Sequence, residues 1–102
     1  MKFLVTAKPG PLPPSPEQFD AATAWIQGKL DDGSFDCVYG YLEGGGIAVT
    51  NADSHLDALK QMTEYPLFGL VQWDVRPLLD FGEGEDLVRG KLAEAQAAMG
   101  AG

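Results

Sequence analysis

The chain has 102 residues, 45% of them apolar, and carries 7 lysines and arginines against 15 aspartates and glutamates. This length and apolar content are typical of one folded domain with a single hydrophobic core. The formal net charge of −8 argues against binding to nucleic-acid phosphates or to an anionic membrane surface, because both require a basic protein surface.

A single cysteine, Cys37, excludes an intrachain disulfide and a cysteine-based structural zinc site. The apolar run at the N-terminus is too short for a signal peptide, and no apolar stretch reaches the length that predicts a membrane span. We therefore expect a soluble, cytoplasmic protein that binds neither nucleic acid nor membrane.

The N-terminal third of the sequence predicts a strand, a stiff connector and a helix. Apolar residues alternate with others over residues 3–8, which predicts the strand. The proline-rich run 9–14 predicts the connector, because proline lacks a backbone donor and has a fixed φ. Ser15 and Gln18 have the spacing of a capping box, and apolar residues at helical spacing follow as far as Gly33, the predicted end of the helix.

The middle of the sequence predicts a hairpin, a helix and a strand. Aromatic and β-branched residues over 34–42 and 47–50 flank a run of glycines, which predicts a β-hairpin. Ser54 predicts the start of a second helix, and Pro66 predicts that it has ended. Residues 67–79 then predict a long strand whose two faces differ in polarity.

A last helix is predicted over residues 85–99, with one apolar side formed by Leu87, Val88, Lys91, Leu92, Ala95 and Met99. The order βαββαβ plus an extra helix is the ferredoxin-like α+β pattern, so we expect residues 1–102 to form one such domain. The first two helices cover one face of the sheet and leave the other face open. We expect a second copy of the chain to cover that open face, in a homodimer at least.

Alternation along the first and last strands places several polar side chains on the open face. Lys8 and Asp74 have the chemistry of a general acid or base, and Arg76 has that of an anchor for a carboxylate or enolate. Gln72 and Thr6 share this face and are predicted to contact the substrate. The alternative is a salt bridge that is solvated or buried between two copies of the chain.

Two further groups are candidates for a site. Tyr39 and Tyr41, with Trp73, have the chemistry to line a flat pocket for an aromatic or polyene ligand, with ordinary packing as the alternative. His55 lies between two aspartates at the predicted start of the second helix, where it is a candidate general base. A lone histidine without a second histidine or cysteine nearby makes a poor metal site, so no metal is expected.

Three segments resemble the muconolactone isomerase family: residues 47–59, the Tyr-Pro-Leu-Phe run at 65–68, and the Asp-Val-Arg-Pro-Leu run at 74–78. The family shows a strand, an Asp-Ser-His-like helix start, a Pro-Leu-Phe turn and a closing strand that ends near Pro-Leu. The resemblance extends over roughly residues 1–80. It implies a dimeric α+β barrel of ferredoxin-like topology and a cofactor-free isomerisation of an unsaturated lactone by proton abstraction and return.

The chain departs from that family where residues 36–40 replace a basic and aromatic stretch of the second strand. Two hypotheses follow. The protein is a cofactor-independent isomerase or cyclase for a small unsaturated lactone-like or polyketide-like substrate, or it is a non-catalytic small-molecule-binding or regulatory module on the same barrel. A monooxygenase of the same fold is disfavoured, because His55 is predicted on an outer helix. The site is expected between sheet and helices or inside the barrel of a dimer.

Overall fold

A computed structural model describes residues 1–101, in which strands and helices follow the order predicted from the sequence. The strands are β1 (Lys2–Pro9), β2 (Phe35–Gly40), β3 (Gly46–Asn51) and β4 (Val71–Leu78). The helices are α1 (Pro16–Asp31), α2 (His55–Thr63) and α3 (Phe81–Ala101), with a short 3₁₀ turn at Phe68–Leu70.

The four strands form one antiparallel sheet in the order β2-β3-β1-β4. The inner strand β1 pairs Phe3 with Thr50 of β3 on one side and Val5 with Val75 of β4 on the other. This order and the two helices between the strands are the ferredoxin-like α+β fold, so the predicted fold class is confirmed.

The core lies between the sheet and the helices α1 and α2. Phe3 and Val5 of β1 are buried there, as is Met62 of α2. The buried polar side chain of Thr50 is satisfied, because its Oγ1 donates a hydrogen bond to Oε1 of Gln61 at 2.6 Å. Because successive side chains of a strand point to opposite faces, these buried residues mark the helix-covered face, and the residues that alternate with them lie on the open face.

Both predicted helix starts are present with the geometry that their sequences indicate. Ser15 Oγ accepts a hydrogen bond from the Gln18 amide at 3.1 Å, and Gln18 Oε1 accepts one from the Ser15 amide at 2.8 Å. Ser54 Oγ accepts from the Asp57 amide at 3.1 Å. These caps satisfy backbone N–H groups that the helix itself leaves free, which fixes where α1 and α2 begin.

Two predicted boundaries were wrong. The strand expected from residue 67 begins only at Val71, because the Leu70 amide donates to the Leu67 carbonyl at 2.9 Å and closes a 3₁₀ turn. The last helix begins at Phe81 rather than at residue 85, because the Gly84 amide donates to the Asp80 carbonyl at 3.0 Å and adds a turn.

The helix α3 projects from the rest of the molecule, and the described chain as a whole measures 65 × 30 × 23 Å. The radius of gyration of 18.4 Å exceeds the ~13 Å of a compact chain of this length. From residue 85 to residue 100 every side chain of α3 is exposed.

None of the helices within residues 1–101 combines the length and the apolar content that crossing a membrane requires.

Candidate functional site

An apolar cavity of about 540 Å³ lies between the helix-covered face of the sheet, the helix α1 and the proline-rich connector that joins β1 to α1. Val5 and Trp73 line it from the sheet, and Phe19 and Ile26 line it from α1. The connector contributes residues 11–14. A volume of this size suits a small-molecule ligand.

Two glycines let the backbone segments around the cavity approach each other closely. The Gly10 amide donates to the Leu70 carbonyl at 2.9 Å, and a Cβ at Gly10 would lie 2.5 Å from that oxygen. Gly44, in the hairpin, has a φ of +100°, and a Cβ there would lie 3.0 Å from Pro9. The connector therefore lies against both the 3₁₀ turn before β4 and the hairpin, which closes one end of the cavity.

Aromatic rings in mutual contact form one wall of the cavity. Tyr65 lies between two indoles, with its ring centroid 5.3 Å from that of Trp25 and 5.5 Å from that of Trp73. The Trp73 indole is held in place, because its Nε1 donates to the Phe68 carbonyl at 2.9 Å. Rings fixed in this way offer a flat or unsaturated ligand a prearranged surface.

The polar groups of the cavity are few and uncharged. Among its lining residues, all within 1–101, there is no acidic or basic side chain and no histidine. The lining residues that carry a hydroxyl group are Thr23, Tyr39 and Tyr65. Thr23 Oγ1 donates to the Phe19 carbonyl at 3.1 Å, and burial raises the pKa of the Tyr65 hydroxyl. Tyr65 therefore stays protonated at neutral pH and can donate a hydrogen bond to a ligand.

The structure gathers most of the charged and polar residues predicted for a catalytic site on the open face, across the sheet from the cavity. Thr6 pairs with Asp74 and Lys8 pairs with Gln72 between β1 and β4. Arg76, two residues along β4, places its Nε 3.0 Å from Asp74 Oδ2. Amine, carboxylate and guanidinium groups thus share one exposed surface.

Apolar side chains occupy the middle of the open face. Leu4 pairs with Val49 and lies beside Thr6, and both apolar residues are half-buried. At the far end Lys2 forms an ion pair with Asp36. A hydrogen bond from Lys2, which makes the larger contribution, and a second one from Asn51 hold the pKa of the Asp36 carboxyl below its usual range. An apolar strip between polar ends is the composition of a surface that another protein can cover.

The remaining predicted site residues lie elsewhere. His55 stacks on Phe3 with centroids 5.7 Å apart, and its Nε2 lies 3.0 Å from the Val75 carbonyl, to which it must donate. This ring is on the helix-covered side and does not line the cavity. Tyr41 lies in the exposed hairpin, where its amide donates to the Gly45 carbonyl at 2.9 Å. Tyr39 is exposed and also lines the cavity.

The sequence did not single out Phe19, Trp25 or Tyr65 as residues of a binding site. The available signal was topological. Aromatic residues occur in α1, in the segment just after α2 and in β4, and both helices pack on one face of the sheet that contains β4 in a ferredoxin-like fold. Periodicity alone describes the same residues as ordinary core positions.

Comparisons with known proteins establish the fold. No family model matches the chain. No curated protein matches it in sequence. Among solved structures, a crystal structure of muconolactone isomerase superimposes with a TM-score of 0.67 at 16% sequence identity, covering 78% of this chain and 90% of that one. The predicted resemblance to muconolactone isomerase is therefore confirmed at the level of the fold.

Proposed function

We propose that the protein binds a small apolar molecule, aromatic or otherwise unsaturated, in the cavity between the sheet and α1. The observation that carries this proposal is the composition of the cavity wall, which combines aromatic rings with hydroxyl-bearing residues and, within the part of the chain that the structure describes, contains no acidic, basic or imidazole side chain. Proton abstraction requires a positioned base, and this wall supplies none at neutral pH. The cavity therefore supports a binding module better than an enzyme.

The energetics of such a site suit a reversible ligand. A two-ring molecule that removes ~250 Å² of apolar surface from water gains ~6 kcal/mol. The translational and rotational freedom lost on binding offsets part of this gain, so such a ligand binds reversibly. A hydrogen bond from Tyr65 to a carbonyl or ether oxygen of the ligand adds orientation.

A neutral fluorescent probe, N-phenyl-1-naphthylamine, tests the proposal directly. Its fluorescence should rise and saturate with one molecule bound per chain. Thr23 lines the cavity, and Thr23→Phe should fill part of it and weaken binding at least tenfold. The neighbouring Ala24 is exposed on α1 and does not line the cavity, so Ala24→Phe is the matched control and should bind normally. Equal affinities of the two variants would overturn the proposal.

A second candidate function rests on the open face. Asp74 and Arg76 form an ion pair there, and Lys8 lies on the neighbouring strand. Once a second copy covers this face, Asp74 would take a proton from the carbon next to a carbonyl and return it at another carbon, while Arg76 holds the enolate or carboxylate. This is the cofactor-independent isomerase hypothesis, with a homodimer as the active form and a small unsaturated lactone as the substrate class.

The isomerase hypothesis has its own experiment. Purified protein is incubated with muconolactone and the loss of the lactone is followed by NMR. Turnover that falls at least ~10²-fold in Asp74→Asn would establish catalysis at the open face, because that change keeps the shape and removes the base. Absence of turnover in the native protein, together with saturable probe binding, leaves the binding module as the function.

A further inference from the structure

The projecting helix α3 carries an apolar seam that nothing within residues 1–101 covers. Phe81 is 84% exposed and Leu92 is 65% exposed. Both lie on one line along the helix with three further apolar residues, Val88, Ala95 and Met99. A continuous apolar surface that the chain itself does not cover marks a site where another molecule binds.

The spacing of this seam is that of a two-stranded coiled coil. Its positions are 81, 85, 88, 92, 95 and 99, which alternate steps of four and three residues along the helix. Only Glu85 interrupts the apolar series. An apolar seam with this spacing is narrower than the apolar face of a helix that packs on a sheet. Its width fits a second helix that carries the same seam.

The glycine content of α3 also indicates that the helix has a partner. Glycines stand at positions 82, 84, 90 and 100, and none would meet another atom within 4 Å if a Cβ were added. Glycine is the poorest helix former after proline, so a helix this rich in glycine is marginal when it stands alone in water.

We propose that α3 pairs in parallel with the α3 of a second copy of this chain, along the seam of Val88, Leu92, Ala95 and Met99. The arrangement does not depend on a ligand in the cavity. A parallel pair holds both sheets at the same end of the helices, so that their open faces can meet about one two-fold axis. An antiparallel pair of helices ~30 Å long would hold the sheets apart.

The area of contact supports the choice of a second copy as the partner. The open face of a sheet with these dimensions covers ~450 Å². That is well short of the ~800 Å² per partner of a standard interface. One side of α3, ~30 Å long and ~10 Å wide, supplies ~300 Å² more. α3 begins three residues after β4 ends, so the two surfaces belong to consecutive elements of the chain.

The mass of the full chain in solution tests the pairing. Light scattering on native protein should give twice the 10.9 kDa of one chain. Leu92→Glu places a charge in the seam and should raise the dimer dissociation constant at least tenfold. Ala93→Glu puts the same charge ~100° further round the helix and should leave the dimer intact. A native monomer at micromolar concentration, or equal effects of the two variants, would overturn the proposal.

Cross-linking tests whether the partner surface is α3 itself. In a Cys37→Ser background, Ala95→Cys should form a covalent dimer on mild oxidation, because the two seams face each other across the two-fold axis. Ala97→Cys, on the opposite side of the helix, should stay largely monomeric under the same conditions. A dimer that is weakened by Leu92→Glu but is not cross-linked through Ala95→Cys would show that α3 packs on another part of the second copy, which contradicts the pairing.

Discussion

Trp73 and Asp74 are consecutive residues of β4, yet their side chains lie on opposite faces of the sheet. Trp73 lines the apolar cavity, whereas Asp74 forms an ion pair with Arg76 on the open face. The protein thus has two separate surfaces with different chemistry. Substitutions on one face report on that face with little disturbance of the other, and this separation makes the two functional hypotheses distinguishable.

The first prediction concerns this independence. Asp74→Asn should leave the affinity for N-phenyl-1-naphthylamine within twofold of the native value, because the carboxylate does not line the cavity. Fluorescence titration of both proteins measures it. A tenfold loss of affinity in a folded variant would mean that the ligand contacts the open face.

The second prediction concerns the connector. Gly10→Ala brings a methyl group to within 2.5 Å of the Leu70 carbonyl oxygen, so the connector must move and the cavity must lose its closed end. We expect at least a fivefold weaker probe affinity. Gly28→Ala in α1 is the control, since a Cβ there meets nothing within 4 Å. Gly28→Ala should raise the free energy of unfolding by roughly 0.5–1 kcal/mol and leave probe binding unchanged.

The third prediction contrasts two phenylalanines. Phe3 is completely buried, and Phe3→Ala should lower the free energy of unfolding by ~3–5 kcal/mol. Phe68 is 37% exposed, so Phe68→Ala should cost less than half as much. Urea denaturation of the two variants provides the comparison. Equal costs would show that the turn at Phe68–Leu70 is packed more deeply than described.

The fourth prediction concerns pH. The pKa of Asp36 is held low in the folded protein, first by the hydrogen bond from Lys2. A carboxyl group whose pKa is lower in the folded protein than in the unfolded protein stabilises the fold. This contribution is fully present above the unfolded pKa of ~3.9 and is lost as the pH falls through the lower pKa of the folded protein. Carbon NMR of the Asp36 carboxyl should give a titration midpoint below the ~3.9 of an unfolded aspartate.

Two lysine variants check the cause of that shift. Lys2→Met should move the Asp36 midpoint upward, because the hydrogen bond and the positive charge are both removed. Lys60→Met, an exposed position of α2, should not move it. A midpoint that is unchanged in Lys2→Met would attribute the low pKa to Asn51 alone.

Local chemistry made much of the fold predictable. The alternation of β4 correctly separated Trp73 from Asp74, because a strand turns successive side chains to opposite faces. The capping box of Ser15 and Gln18 gave the start of α1, because its partners lie three residues apart. The polarity pattern alone missed the turn at Phe68–Leu70, since its apolar residues resemble the strand that follows, although the family resemblance implied a Pro-Leu-Phe turn next to it.

The cavity was beyond sequence reasoning for a different reason. It exists because the proline-rich connector folds back against Leu70 and the hairpin, and residue 10 and residue 70 are far apart in the chain. Apolar periodicity reports that a residue is buried, not whether its neighbours leave a space. The apolar side of α3 was predicted, but what covers it depends on a second molecule.

The most direct test of the account is to locate the bound probe by NMR. Both tryptophans of the chain, Trp25 and Trp73, line the cavity. On addition of N-phenyl-1-naphthylamine to ¹⁵N-labelled protein, the two indole N–H signals should shift and saturate together, while the amides of Thr6, Asp74 and Arg76 move little. Saturating shifts at those open-face amides, with both indole signals unmoved, would contradict the assignment of the cavity as the binding site.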